Sequence, residues 1–155
     1  MKLLSHVGDR LVFLLSDRDH RAWRHLARLS GETRRRQPGI SRGPSPSLPP
    51  GVKAEFSAAV QDSRTFAGKF LRLLANDSTH MVRGTGGYGL TVTRAEFETL
   101  LQALNDIKLG LWEQMGSPDL EKGESPGLNL ENLRRLHSID IVNLLQMQLL
   151  QALQE

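Results

Sequence analysis

The chain has 155 residues, no cysteine and a formal net charge of +3. That length suits one domain with a core of its own, and the missing thiols exclude disulfides, thiolate metal sites and cysteine nucleophiles. No apolar run of about 18 residues is present, and the opening Met1-Lys2-Leu3-Leu4-Ser5-His6 is too short for a signal peptide, so the expectation is a cytoplasmic protein without a membrane partner.

The charge is uneven. Residues 1–50 hold ten Lys+Arg against four Asp+Glu, whereas the remainder holds ten against thirteen. A basic front on a mildly acidic body fits phosphate, or an acidic surface of its own fold or of a twin subunit.

Two apolar runs, Lys2–Val7 and Arg10–Leu15, flank Gly8-Asp9 and predict a β-hairpin, which must lie against helices to be stable. Ser16 stands three residues before Asp19 and caps a helix over about Asp17–Leu29, ended by Gly31. Its apolar side carries Ala22, Trp23, Leu26, Ala27 and Leu29; Arg18, Arg21, Arg24, His25 and Arg28 gather on the other. From Glu32 to Gly51, Arg34-Arg35-Arg36 and five prolines among Ser and Gly read as a flexible linker.

Val52, Phe56, Ala59, Val60, Phe66, Ala67, Phe70, Leu71 and Leu74 keep one helical phase, predicting a single helix over roughly 52–75. Thr93-Arg94-Ala95-Glu96 has capping-box spacing and opens a helix to about Met115, stopped by Gly116 and Pro118. A loop over Asp119–Leu128, a short helix over Leu130–Leu136 and a final helix from Ser138 to about Leu153 follow. The expected fold is mainly α: four to five helices with a short N-terminal β-hairpin. The expected organisation is hairpin and basic helix in 1–31, linker in 32–51, and a helical core in 52–155 that packs with 1–31 as one domain.

Motifs for chemistry are sparse. Gly84-Thr85-Gly86-Gly87-Tyr88-Gly89 satisfies GxGxxG, but a phosphate loop needs a strand before it and a helix after it, and here the β-prone Leu90–Thr93 follows. A flexible connector is the better reading. His20 and His25 are five apart and do not share a helix face as a ligand pair would, and neither HExxH nor GxSxG occurs. The expectation is therefore no catalytic, cofactor or metal site.

Three features remain. The arginine ladder Arg18, Arg21, Arg24 and Arg28, continued by Arg34, Arg35 and Arg36, suits nucleic-acid phosphates, although a solvated face opposite a core stripe explains it equally. In Leu104-Asn105-Asp106-Ile107-Lys108-Leu109, Lys108 falls on the apolar side of its helix near Asn105, while Asp106 points away. It needs a partner, with Asp140, Asp62 and Glu55 as candidates. It reads as a buried pair that fixes helix register in preference to a polar pocket. In the last helix, Leu144 and Met147 lie roughly opposite the main stripe, so either other helices wrap it or a second subunit covers it.

The Leu104–Leu109 element and the Leu- and Gln-rich last helix, after an apolar hairpin and helix, resemble the uncharacterised bacterial family known as domain of unknown function number twenty-seventeen. That family's mark is a Leu-Asn-Asp-x-Arg-Leu element, where this chain carries Lys108 in place of arginine; Leu145-Gln146 or Leu150-Gln151 matches its Leu-Gln element. The resemblance spans about residues 10–30 and 94–153. The Pro-rich and Gly-rich segments depart from the family's usual look. It implies no established activity, a transcriptional-regulator label on some members, and gene neighbourhoods shared with the substrate adaptor of the Clp protease. It too draws the eye to Asn105, Asp106 and Lys108. The functional expectation is a non-catalytic regulatory or protein-interaction module that self-associates, with a nucleic-acid-binding regulator using the arginines of 18–36 as the alternative.

Overall fold

A computed structural model describes residues 1–35 and 50–154. In chain order these form β1 (Lys2–Val7), β2 (Arg10–Leu15), α1 (Asp17–Arg35), α2 (Pro50–Asn76), β3 (Met81–Gly84), β4 (Gly87–Thr93), α3 (Arg94–Gln114), a 3-10 turn (Leu120–Lys122) and α4 (Leu130–Ala152). The chain is not mainly α. Its four strands make one antiparallel sheet in the order β1-β2-β4-β3, so the fold is mixed α and β.

The Gly-rich segment carries the difference. Gly84 pairs with Gly87 across a tight turn, and β4 then runs antiparallel to β2, with Phe13 opposite Leu90 and Leu11 opposite Val92. The connector expected over Gly84–Gly89 is thus the tip of a second hairpin, ordered by a partner strand far away in sequence. Gly87 has φ +131, and a Cβ there would meet the Leu15 carbonyl oxygen at 2.2 Å. The hairpin lies so close to the β2–α1 junction that only glycine fits.

Alternation puts Leu11, Phe13 and Leu15 of β2 fully inside, with Leu90 and Val92 of β4 beside them. Helices cover this face, and Phe13 stacks on Phe97 of α3 with centroids 5.7 Å apart. Helix α3 packs against α1, α2 and α4 and is the centre of the helical layer. Trp23 and Leu26 of α1, Leu71 and Leu74 of α2, and Val142, Leu145 and Leu149 of α4 complete the core.

Helix α1 runs through Gly31 to Arg35 instead of stopping, and Pro50 opens α2, a first-turn position where proline's missing N–H is harmless. Of the Pro-rich segment 32–51, residues 36–49 lie outside the described residues. The Thr93–Glu96 capping box forms in full.

The two expected C-terminal helices are one. Asn129 accepts from the Asn132 N–H at 2.8 Å and caps the start. Arg135 reaches Asn132 on its own helix and Gln114 at the end of α3. Ser138 is no cap: its hydroxyl donates to the Arg134 carbonyl one turn back. Among the described residues α4 touches α3, α1 and β1. It is a flanking helix with one face open, and no described element wraps that face.

Candidate functional site

Helix α1 starts where Ser16 and Asp19 satisfy each other. The Ser16 hydroxyl accepts from the Asp19 N–H at 3.2 Å, and the Asp19 carboxylate accepts from the Ser16 N–H at 3.0 Å. Burial works to raise the Asp19 pKa, but these hydrogen bonds and the nearby terminal amine win and hold it below the ordinary value. From this start, helical spacing turns Trp23, Leu26 and Ala27 into the core and leaves Arg18, Arg21, Arg24 and Arg28 exposed.

The exposed arginines do not simply face water. Helix α2 crosses α1 where small residues meet: the Ser30 hydroxyl donates to the Ala27 carbonyl at 2.8 Å and lies 3.4 Å from the Gly68 carbonyl. Beyond that crossing an open cleft of about 480 Å³ forms between the helices. Arg21, Arg24, His25 and Arg28 line it from α1, and Arg72 and Asn76 from the last turns of α2, over a floor of Ala27 and Ala75. Among the described residues no carboxylate belongs to this lining.

His25 is held in a defined tautomer. The Arg28 guanidinium, which can only donate, lies 3.3 Å from Nδ1, so Nδ1 accepts. Nε2 then carries the proton and donates to the Ser138 hydroxyl at 3.2 Å, tying α1 to α4. The imidazole thereby presents Arg28 to the cleft.

A second cluster adjoins through Arg24. His20 of α1 stacks on Tyr88 of β4 with centroids 3.6 Å apart, and the Arg83 guanidinium sits 5.8 Å from the Tyr88 ring centre. Burial, and then Arg24, push the His20 pKa below its ordinary value; Asp17 opposes this and Arg83 adds to it. His20 thus lies near Arg24 and Arg83, with Asp17 as the opposing charge.

The other polar cluster is a clamp. His80 Nδ1 lies 2.9 Å from Asp77 Oδ2, and Nε2 lies 3.2 Å from Glu96 Oε1. Arg10, Thr79, Thr91 and Thr93 surround it in a cavity of about 330 Å³. Burial disfavours the charged ring, yet the two carboxylates prevail and raise the His80 pKa. The Thr79 hydroxyl is 3.2 Å from Nδ1, but it donates to Asp77 at 2.7 Å. With a carboxylate at each ring nitrogen, His80 joins the α2–β3 turn to the α3 cap. Among the described residues no group of three His, Cys, Asp or Glu could hold a metal ion.

The residues singled out on α3 do not assemble. Lys108 is half-buried, and its Nζ lies 3.5 Å from Asn143 Oδ1 on α4, at the long limit of a hydrogen bond. None of Asp140, Asp62 and Glu55 is that partner. Asp106 accepts from Gln102 at 3.3 Å, and no bond among the described residues joins Asn105 to Lys108. Leu144 and Met147 are exposed, at 41% and 48%. Of the ladder, Arg21, Arg24 and Arg28 reach the cleft and Arg18 does not. Arg34 and Arg35 lie on the last turn of α1, and Arg36 lies outside the described residues.

Sequence reasoning missed Arg72, Arg83 and Tyr88. Arg72, Ala75 and Asn76 share helical spacing that could have shown a common face, but nothing in the sequence says that this face meets α1. No known protein family, curated protein or solved structure matches the chain.

Proposed function

We propose that the protein binds nucleic acid through the α1–α2 cleft, with its arginines gripping backbone phosphates. One observation carries this reading: Arg21, Arg24, Arg28 and Arg72 line one open cleft, and among the described residues its lining includes no carboxylate. Four like charges brought together are unfavourable until counter-charge arrives. A guanidinium fork fits phosphate oxygens two at a time, which makes phosphate the natural counter-charge. Arg83 and the Tyr88–His20 stack extend the positive surface beside Arg24.

The reading is non-catalytic and regulatory, and it uses no cofactor. Among the described residues no helix is long and apolar enough to cross a membrane, and a cytoplasmic location goes with the cysteine-free chain. Kinship with the family of unknown function belongs to the same proposal, supported by the position of Asn105-Asp106 on the central helix. Lys108 acts there as a register contact to α4.

The test is fluorescence anisotropy of a labelled oligonucleotide. Arg24→Glu combined with Arg72→Glu should weaken binding about tenfold or more. Affinity unchanged by this pair would contradict the cleft as the binding surface.

A further inference from the structure

Helix α4 buries one face and leaves the opposite one open. Val142, Leu145 and Leu149 are inside, whereas Leu130, Leu133, Leu144 and Met147 are 66%, 51%, 41% and 48% exposed. With His137 and Asp140, also exposed, these residues fall at positions 130, 133, 137, 140, 144 and 147. The intervals alternate three and four, the spacing that keeps a seam on one side of a helix for a partner helix.

The order along this seam is self-complementary. In an antiparallel pair about a two-fold axis level with Ser138 and Ile139, Leu130 meets Met147, Leu133 meets Leu144, and His137 meets Asp140, each from the other copy. Every apolar side chain finds an apolar one, and the two polar pairs at the centre bring an imidazole to a carboxylate. A parallel pair would set His137 against His137 and Asp140 against Asp140, which is unfavourable. The seam runs about 26 Å at ~1.5 Å per residue, and Leu128, 90% exposed, extends it before the helix begins.

We propose that two copies of the chain associate antiparallel through α4, in this register, with the crossed His137–Asp140 pairs at the dyad. A closed two-fold interface covers the same patch on both copies and leaves no seam free to propagate. The seam shares no residue with the arginine cleft, whose described lining lies on α1 and α2.

The chain contains no cysteine, so engineered ones report without background. Light-scattering mass over a dilution series should give twice 17.3 kDa for the full chain. Leu133→Glu with Leu144→Glu should give 17.3 kDa with an unchanged circular dichroism spectrum, since both side chains lie outside the core. Under mild oxidation, Leu133→Cys with Leu144→Cys should form a covalent dimer, and Leu144→Cys alone should not. A wild-type monomer at every concentration overturns the proposal and leaves the face to a different protein. Efficient cross-linking by Leu144→Cys alone overturns the antiparallel register.

Discussion

His25 on α1 donates from Nε2 to the Ser138 hydroxyl on α4 at 3.2 Å, while its other nitrogen accepts from Arg28. One side chain thus couples the cleft wall to a helix that lines no part of it. Ser138→Ala removes this hydroxyl from the contact between α1 and α4. A loss of about 1 kcal/mol is expected in urea unfolding, the ordinary net contribution of one side-chain hydrogen bond. No change in midpoint would mean that water replaces the hydroxyl at no cost.

The His80 clamp makes stability depend on pH with a defined sign. The His80 pKa is raised above its ordinary 6.5, so its contribution is full below about that pH and is lost as pH rises through the raised value. The Asp77 pKa is lowered from 3.8 to about 2, first by the Thr79 N–H, so its contribution holds above 3.8 and fades as pH falls toward 2. For Glu96, burial opposes and hydrogen bonds from Thr93 and His80 prevail, lowering it from 4.5. The Tm difference between the wild type and His80→Asn should therefore be greatest between about pH 4.5 and 6.5 and shrink toward pH 8. A difference constant from pH 5 to 8 would show that His80 does not titrate between its carboxylates.

Gly87→Ala should be severe and Gly86→Ala mild. At Gly87 a Cβ would meet the Leu15 carbonyl oxygen at 2.2 Å at φ +131, whereas at Gly86 nothing lies within 4 Å. A loss of about 2 kcal/mol or more is expected for the first from left-handed strain plus the clash. The second should fall within about 0.5 kcal/mol. Equal midpoints for the two variants would remove the argument that the hairpin is pressed against the β2–α1 junction.

Helix α2, the Thr93 cap of α3 and the β1–β2 hairpin were legible because each announces itself locally, by phase, by capping box or by a Gly-Asp turn. The second hairpin was not. Met81–Gly84 and Gly87–Thr93 are short, and it is Gly87–Thr93 that pairs with Arg10–Leu15, a contact that periodicity cannot report. The same blindness split α4 at Ser138, where a cap-forming residue makes its hydrogen bond backward to Arg134. The arginine ladder was visible on α1, but its meaning waited on Arg72, which reaches the same cleft only through the packing of α2. Lys108 is half-buried and not a buried cation, and its ammonium lies 3.5 Å from Asn143 of α4, a neighbour that helical phase on α3 cannot name.

The central claim is that the cleft arginines contact phosphates, and the salt dependence of oligonucleotide binding tests it most directly. A plot of log affinity against log salt concentration should fall steeply for the wild type. Arg24→Ala and Arg72→Ala should each reduce the slope by about one. A flat plot, or slopes unchanged by both substitutions, would contradict the account.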